Sequence, residues 1–193
     1  MSAPSVPTHT LSRVVVLDTE TGGLDPWSNS LLSIGLVSGD GAHRTEIFVA
    51  EPEIVITPES EKIHRLSARW IGEHGISPAQ ACEAVEAFLA QCTVDGRAPI
   101  IAGHNVAFDL AFLRRAYHIA GRPLPNALGH RTLDTHTLLW SLVARNRLPP
   151  ETCASDGAFA HFGIAPPEEA RHTALGDALA TRDLLARLLE MIA

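Results

Sequence analysis

Residues 13–23 read Arg-Val-Val-Val-Leu-Asp-Thr-Glu-Thr-Gly-Gly. From Arg13 to Asp18 the run is short, apolar and β-branched, the pattern of a buried strand. Asp18 and Glu20 stand at its end, two positions apart. Residues two apart on a strand point to the same face, so both carboxylates can meet one ion at the sheet edge. Asp is frequent in turns, and taken alone the pair reads equally well as two loop acids. Thr19 to Asn29 is expected to be a loop, marked by Gly22, Gly23 and Pro26.

Working outward, Leu31–Ser38 and His43–Ala50 flank the turn signal Gly39-Asp40-Gly41. With the first run they make three consecutive antiparallel strands. Pro52 to Ser60 is a connector, and Glu59 to Leu66 can form a short helix. Ser77-Pro78 reads as an N-cap with proline at the first helical position. Ala81, Val85, Phe88 and Leu89 continue that helix, which ends near Gly96. Ala98–Gly103 is a further buried strand. Asn105 is a candidate cap for the next helix, which carries Phe108, Phe112, Leu113 and Tyr117 and stops at Gly121-Arg122-Pro123. Thr132–Thr135 reads as a brief strand end leading into a helix over Leu138–Arg145. Pro149–Asp156 and Gly163–Arg171 read as loops, and Ala174–Ile192 as a long amphipathic helix. Strands first, then alternating helix and strand, predict an α/β fold with a mixed sheet and helices packed on it.

The chain has 193 residues, 46% hydrophobic and 19% charged, which suits one globular domain with a full core. We expect that domain over residues 12–193, after a flexible Ser/Pro/Thr-rich tail at 1–11. The tail lacks the basic start and apolar stretch of a secretory signal. No apolar run approaches the roughly 20 residues of a membrane span. Cys82, Cys92 and Cys153 lack metal-ligand spacing and read as reduced thiols, so the expected setting is cytoplasmic. A net charge of −7 argues against a broad basic surface for long nucleic-acid tracks. It allows a short footprint, and bound divalent ions would reverse the field of clustered acids.

Asp109 lies in His104-Asn105-Val106-Ala107-Phe108-Asp109, just inside a helix after a buried strand. It reads as a helix-dipole partner or as a ligand beside Asp18. His172 and Asp177 are five residues apart, about 140° on an ideal helix, so they cannot share a face if both are helical. We expect His172 just before the last helix and Asp177 in its first turns.

Together these residues resemble the DEDDh, or DnaQ-like, exonuclease family. Asp18-Thr19-Glu20-Thr21-Gly22 is similar to its first motif, His104 to Asp109 to its second, and His172-Thr173-Ala174-Leu175-Gly176-Asp177 to its third. Leu133-Asp134-Thr135 resembles its Asp-Thr before a helix. The resemblance implies a ribonuclease H-like mixed five-stranded sheet, its first three strands antiparallel, with helices on both faces. It implies metal-dependent 3′–5′ hydrolysis of single-stranded DNA or RNA, releasing nucleoside 5′-monophosphates. Two Mg²⁺ or Mn²⁺ ions, roughly 3.5–4 Å apart, would be held by Asp18, Glu20, Asp109 and Asp177, with Asp18 bridging. His172 would take a proton from water, a task suited to an imidazole, whose ordinary pKa is about 6.5. Thr21, Gly22, His64, Asn105 and Phe108 are the implied substrate contacts.

Two departures stand out. Ser33 replaces the family's frequent acid in the second strand. His64-Arg65-Leu66 lacks the glycine that relatives often carry after this histidine, which puts the local backbone in question. A surface histidine on a short helix is an equally good reading of His64. Trp27 is a candidate for stacking on a base, Trp140 for core packing, and Asp134 for helix capping. Arg65, Arg69, Arg114 and Arg115 read either as phosphate contacts or as solvated charges. Partners are strand 3′ ends, with a homodimer or polymerase association undecided. The rival readings are an RNA-trimming or short-oligonucleotide exoribonuclease, a catalytically silent nucleic-acid-binding domain, and an unrelated metal hydrolase.

Overall fold

The computed structural model describes residues 11–164, 166 and 170–192. The tail expected over 1–11 falls, for residues 1–10, outside the described residues. So does part of the loop expected over Gly163–Arg171.

The sheet has five strands: β1 (Val14–Thr21), β2 (Leu31–Ser38), β3 (Arg44–Phe48), β4 (Ile100–Gly103) and β5 (Thr132–Asp134). They lie in the order β3-β2-β1-β4-β5. The first three are antiparallel, and β4 and β5 run parallel to β1. Among the described residues the helices are α1 (Pro58–His64), α2 (Ala68–His74), α3 (Pro78–Gln91), α4 (Ala107–Ile119), α5 (Thr135–Val143), α6 (Ser155–Phe162) and α7 (Ala174–Ile192).

β1 divides the core by parity. Val15 and Leu17 pack with Ala81, Val85 and Phe88 of α3 and with Leu110, Phe112 and Leu113 of α4. Val14 and Val16 face the opposite way, against Ala178 and Leu185 of α7. A third cluster joins α5, α6 and α7 through Leu139, Phe159 and Leu184. Helices therefore cover both faces, as expected.

Local details follow the sequence in some places and depart in others. Ser77 completes a full capping box with Gln80 and Pro78 opens α3. Asp134 caps α5 by accepting from the His136 N–H at 2.8 Å. β1 runs on to Thr21, three residues into the expected loop, because β2 pairs with it as far as Leu31. Asn105 is not a cap. It takes φ +59°, and its N–H donates to Asp134 Oδ1 at 3.1 Å, so Val106 becomes the uncapped helix start. α2 was hidden because its seven residues are too few to show helical periodicity. α6 begins inside an expected loop, since Pro150–Cys153 forms a 3₁₀ turn and no side chain caps the helix that follows. Trp140 is 54% exposed, so it is not a core residue; the buried positions of α5 are Thr135, Leu139 and Leu142.

Candidate active site

The parity of β1 also builds the site. Asp18 and Glu20 continue the face of Val14 and Val16, toward α7. Asp18 lies opposite Gly35 of β2, and a Cβ at Gly35 would meet the Ala174 carbonyl oxygen at 2.1 Å. Only glycine lets the first turn of α7 sit this close to the sheet. Thr173 caps that turn, its hydroxyl accepting from the Gly176 N–H at 3.0 Å. Asp177 follows one turn in, and one oxygen each from Asp18, Glu20 and Asp177 lie within 4.8 Å of one another.

Asp109 arrives from the other face. It is 5% exposed near the start of α4, and the Thr19 hydroxyl donates to its Oδ1 at 2.7 Å. Thr19 shares the parity of Val15 and Leu17, so it points to the α4 side. Asp109 thus stands beside Asp18 without joining the three-oxygen cluster. Its charge still raises the pKa of Asp18.

Burial and crowding make these acids hold protons. Asp18 is pushed well above the usual carboxylate range by burial, then by Asp109, Asp177 and Glu20. Glu20 is raised to about 8 by burial, then by Asp177 and Glu46. Asp109 is raised to about 7 by burial, against the lowering hydrogen bond from Thr19. Carboxylates packed this way cost stability without a cation, and the chain supplies one. Arg171 pairs with both Asp177 and Asp156 and lies over the Phe159 ring, 5.2 Å from its centroid.

His172 takes φ +61°, so it is not helical and precedes α7 as expected. Among the described residues it has no hydrogen-bond partner, and it lies outside the three-oxygen cluster. His64 is buried, 7% exposed, and not a surface residue. Its Nδ1 accepts from the Leu66 N–H at 2.9 Å. Its Nε2 has no hydrogen-bond partner, although the Thr21 backbone is near enough to bias its proton. Thr21 donates its hydroxyl to the Gly23 carbonyl at 2.7 Å. Gly22 is pressed against the chain before α1, where a Cβ would meet the Val55 carbonyl oxygen at 1.9 Å. Asn105 is exposed and Phe108 half-buried, the latter 5.1 Å from the Phe112 ring.

Sequence reasoning missed Thr19, Glu46 and Arg171. Thr19 is the odd residue between two ligand candidates, which alone places it on the other face. Glu46 sits opposite Gly35 and is half-buried, its pKa raised by that burial; nothing in its own segment marked it. Arg171 was legible as the cation next to His172. A small cavity of about 100 Å³ joins Asp18, His104, Phe159, Arg171 and Asp177. His104 donates to or accepts from the Thr135 hydroxyl at 3.1 Å, and burial, then His136, lowers its pKa.

Comparison with known proteins agrees with this geometry. Residues 15–185 match the exonuclease family model RNase_T. A DNA polymerase III subunit epsilon-like protein of Rhodobacter capsulatus is 33% identical over 180 residues, covering 91% of this chain and 23% of that protein. The DNA polymerase III subunit epsilon of Rickettsia prowazekii is 29% identical over 175 residues, covering 86% and 69%. The chain thus spans about a quarter of the first relative and over two thirds of the second. Among solved structures, E. coli exonuclease I in complex with a dT13 oligonucleotide superposes with a TM-score of 0.73 at 17% identity, over 91% of this chain and 40% of that one. The nuclease domain of 3′hExo, a DEDDh family member bound to rAMP, gives 0.73 at 11% identity over 92% of both chains. These last two establish likeness of fold. With the motif set in place, the chain belongs to the exonuclease family, in its DEDDh, DnaQ-like branch with the ribonuclease H-like fold.

Proposed function

We propose that the chain is a metal-dependent 3′–5′ exonuclease that removes nucleoside 5′-monophosphates from single-stranded DNA or RNA. The observation that carries this is the convergence of Asp18, Glu20 and Asp177 oxygens within 4.8 Å of one another, with Asp109 beside Asp18. Two oxygens across one divalent ion are about 4–5 Å apart at metal–oxygen distances of 2.0–2.6 Å. An all-carboxylate donor set without cysteine favours Mg²⁺ or Mn²⁺. Asp18, Glu20 and Asp177 would hold one such ion, and Asp18 with Asp109 would hold a second. When bound, such ions supply charge to the scissile phosphate and acidify water.

The chain's own groups do the rest. His172 takes a proton from the attacking water, whose oxygen bonds to phosphorus. The bond from phosphorus to the neighbouring 3′-oxygen breaks, that oxygen takes a proton from solvent water to become the new 3′-hydroxyl, and the terminal nucleotide leaves as a 5′-monophosphate while His172 returns its proton to solvent. Thr21, Gly22, His64, Asn105 and Phe108 seat the terminal nucleotide. The net charge of −7 supports a footprint of a few nucleotides. The polymerase III names of the relatives support, by similarity, either proofreading or repair.

The test is a panel of end-labelled single-stranded DNA, RNA and dinucleotides with Mg²⁺, Mn²⁺ or excess EDTA. Expected is stepwise loss from a free 3′-hydroxyl, abolished by EDTA and blocked by a 3′-phosphate. Full activity in EDTA, or equal cutting of blocked and circular strands, refutes the proposal.

A further inference from the structure

Away from the acids, an exposed indole, a pocket and an unpaired guanidinium coincide at one place. Trp27 is 82% exposed, yet its backbone is firmly held. Asp25 accepts from the Trp27 N–H at 3.0 Å and the Ser28 hydroxyl at 2.8 Å. Asn29 Oδ1 accepts from the Asp25 N–H at 3.2 Å. Arg115 donates to the Pro26 and Trp27 carbonyls at 3.1 and 2.9 Å and binds the buried Glu51 carboxylate at 3.1 Å. The loop thus presents the indole on a fixed mount, so little ordering cost remains for a ring that stacks on it.

Beneath it lies a pocket of about 350 Å³, walled by Pro26 and Trp27 on one side and by Ala111, Arg114 and His118 of α4 on the other. Positions 111, 114, 115 and 118 are i, i+3, i+4 and i+7, one face of a helix. That helix begins at the catalytic end, with Asp109. His118 lies nine residues farther on, about 14 Å along the axis. The Trp27 loop likewise follows β1, which ends at Thr21 just after Glu20. The two walls of the pocket are therefore carried by the same two segments that carry Glu20 and Asp109. Arg114 is exposed and spends one hydrogen bond on the Gly129 carbonyl, at 2.9 Å. Among the described residues Arg114 is in no ion pair. In a chain of net charge −7, an uncompensated guanidinium beside an exposed aromatic ring, with the His118 ring as a further hydrogen-bonding group, suits an anionic ligand with flat bases.

We propose that Trp27, Arg114 and His118 form a binding site for the single strand upstream of the nucleotide being removed. A base stacks on the indole, and Arg114 and His118 take backbone phosphates. The proposal rests on the exonuclease reading for its direction, and on this patch for its existence.

The experiment measures anisotropy of labelled oligothymidylates of increasing length, from the dinucleotide upward, with the full chain in EDTA, and KM for the same series with Mg²⁺. Variants are Trp27→Ala, Trp27→Phe and Arg114→Gln. Because the Trp27 side chain is exposed, its variants should melt with the wild type. Wild-type affinity should rise over the first few nucleotides and then level. Trp27→Ala should weaken long strands by about 5- to 150-fold, the range for losing one stacked base, and collapse the ratio of dinucleotide to long-strand KM. Trp27→Phe should restore most of that ratio. Arg114→Gln should lower the slope of log affinity against log salt by about 0.7. If Trp27→Ala and Arg114→Gln bind every length as the wild type does, the proposal is overturned, and a protein becomes the better occupant. Equal weakening at every length also overturns it, by placing the patch at the terminal nucleotide. A wild type that cleaves nothing would sink the exonuclease reading instead, while the anisotropy series would still judge the patch.

Discussion

Without metal, the protein should become more stable as pH falls from 8 to 6.5, and Glu20→Gln should remove part of that slope, the rest coming from Asp18 and Asp109. Glu20 is raised from 4.5 to about 8 in the folded chain. Between those values the folded state holds a proton that the unfolded chain has lost, so stability falls as pH rises through the window. One pK unit corresponds to 1.36 kcal/mol, so Glu20 alone should contribute about 1.5–2 kcal/mol between pH 8 and 6.5. For a domain of this size that is about 3–8 °C in melting temperature. Asp109, raised to about 7, adds in the same direction. The window stops at 6.5 because the pKa values of His64 and His104 are lowered by burial. Below their ordinary value the unfolded chain takes up protons that these folded rings resist, which opposes the contribution of the acids. The assay is thermal melting in EDTA across the window, for wild type and Glu20→Gln, then with saturating Mg²⁺. Metal binds the deprotonated carboxylates, so it should stabilise most at high pH and flatten or invert the wild-type slope. A metal-free wild type whose melting temperature is level or falls on acidification would refute the electrostatic account. So would a Glu20→Gln slope equal to the wild type's.

His172→Ala should lower single-turnover cleavage of a short oligonucleotide by roughly 10²–10⁴-fold and flatten the acidic limb of its pH profile; equal rates and superimposable profiles would make His172 a bystander. Asp18→Ala should be the most damaging single change, since one carboxylate serves both ions, and wild-type turnover in it would sink that role. Arg65 ends α1 at φ 62°, a conformation costing an L residue about 1–2 kcal/mol, against about 0.5–1 kcal/mol of extra chain entropy for glycine. Arg65→Gly should therefore gain about 0.5–1 kcal/mol in denaturant unfolding, and a loss would mean that the Arg65 side chain compensates. Gly35→Ala puts a methyl 2.1 Å from the Ala174 carbonyl oxygen; it should cost about 1–3 kcal/mol and weaken Mn²⁺ binding, because Asp177 moves with that turn.

The segments that were legible in the sequence carried their own signals. The valine run of β1, the Ser77-Pro78 cap and the long apolar stripe of α7 each fix an element locally, and the motif order placed them in one fold. Elements set by neighbours were not legible. β1 extends through Thr21 because β2 pairs with it there, whatever Gly22 and Gly23 signal. Asn105 has the chemistry of a cap but is turned to φ +59° by a bond to Asp134, 29 residues away. α6 has no capping side chain and owes its place to Phe159 and Ala158 packing on α5 and α7. Trp140 is exposed because Leu139 and Leu142 take the buried face of α5, a phase that one tryptophan cannot reveal. At the site, the residue types were visible, but the roles of Thr19 and Glu46 were not, since each acts through a partner distant in sequence or across the sheet; Arg171 was visible as a cation beside His172, and only its pairing with Asp156 was hidden.

The arrangement of acids follows from one strand. Even positions of β1 give Asp18 and Glu20 to the α7 side, and Thr19 between them turns to the α4 side and holds Asp109. A second carboxylate pair on one face would have required all four acids under α7, where Gly35 already brings helix and sheet to contact. Splitting them across the strand end leaves Asp18 in reach of both groups and keeps Asp109 in a separate hydrogen bond. The cost is electrostatic: Asp18 feels Asp109, Asp177 and Glu20 together. Arg171 offsets part of that repulsion, pairing with Asp177 and lowering the pKa of Asp18 and Glu20 from a distance. Among the described residues Asp18 and Glu20, deeper on β1, are in no salt bridge. It is there that a bound divalent ion would gain most from the charges already in place.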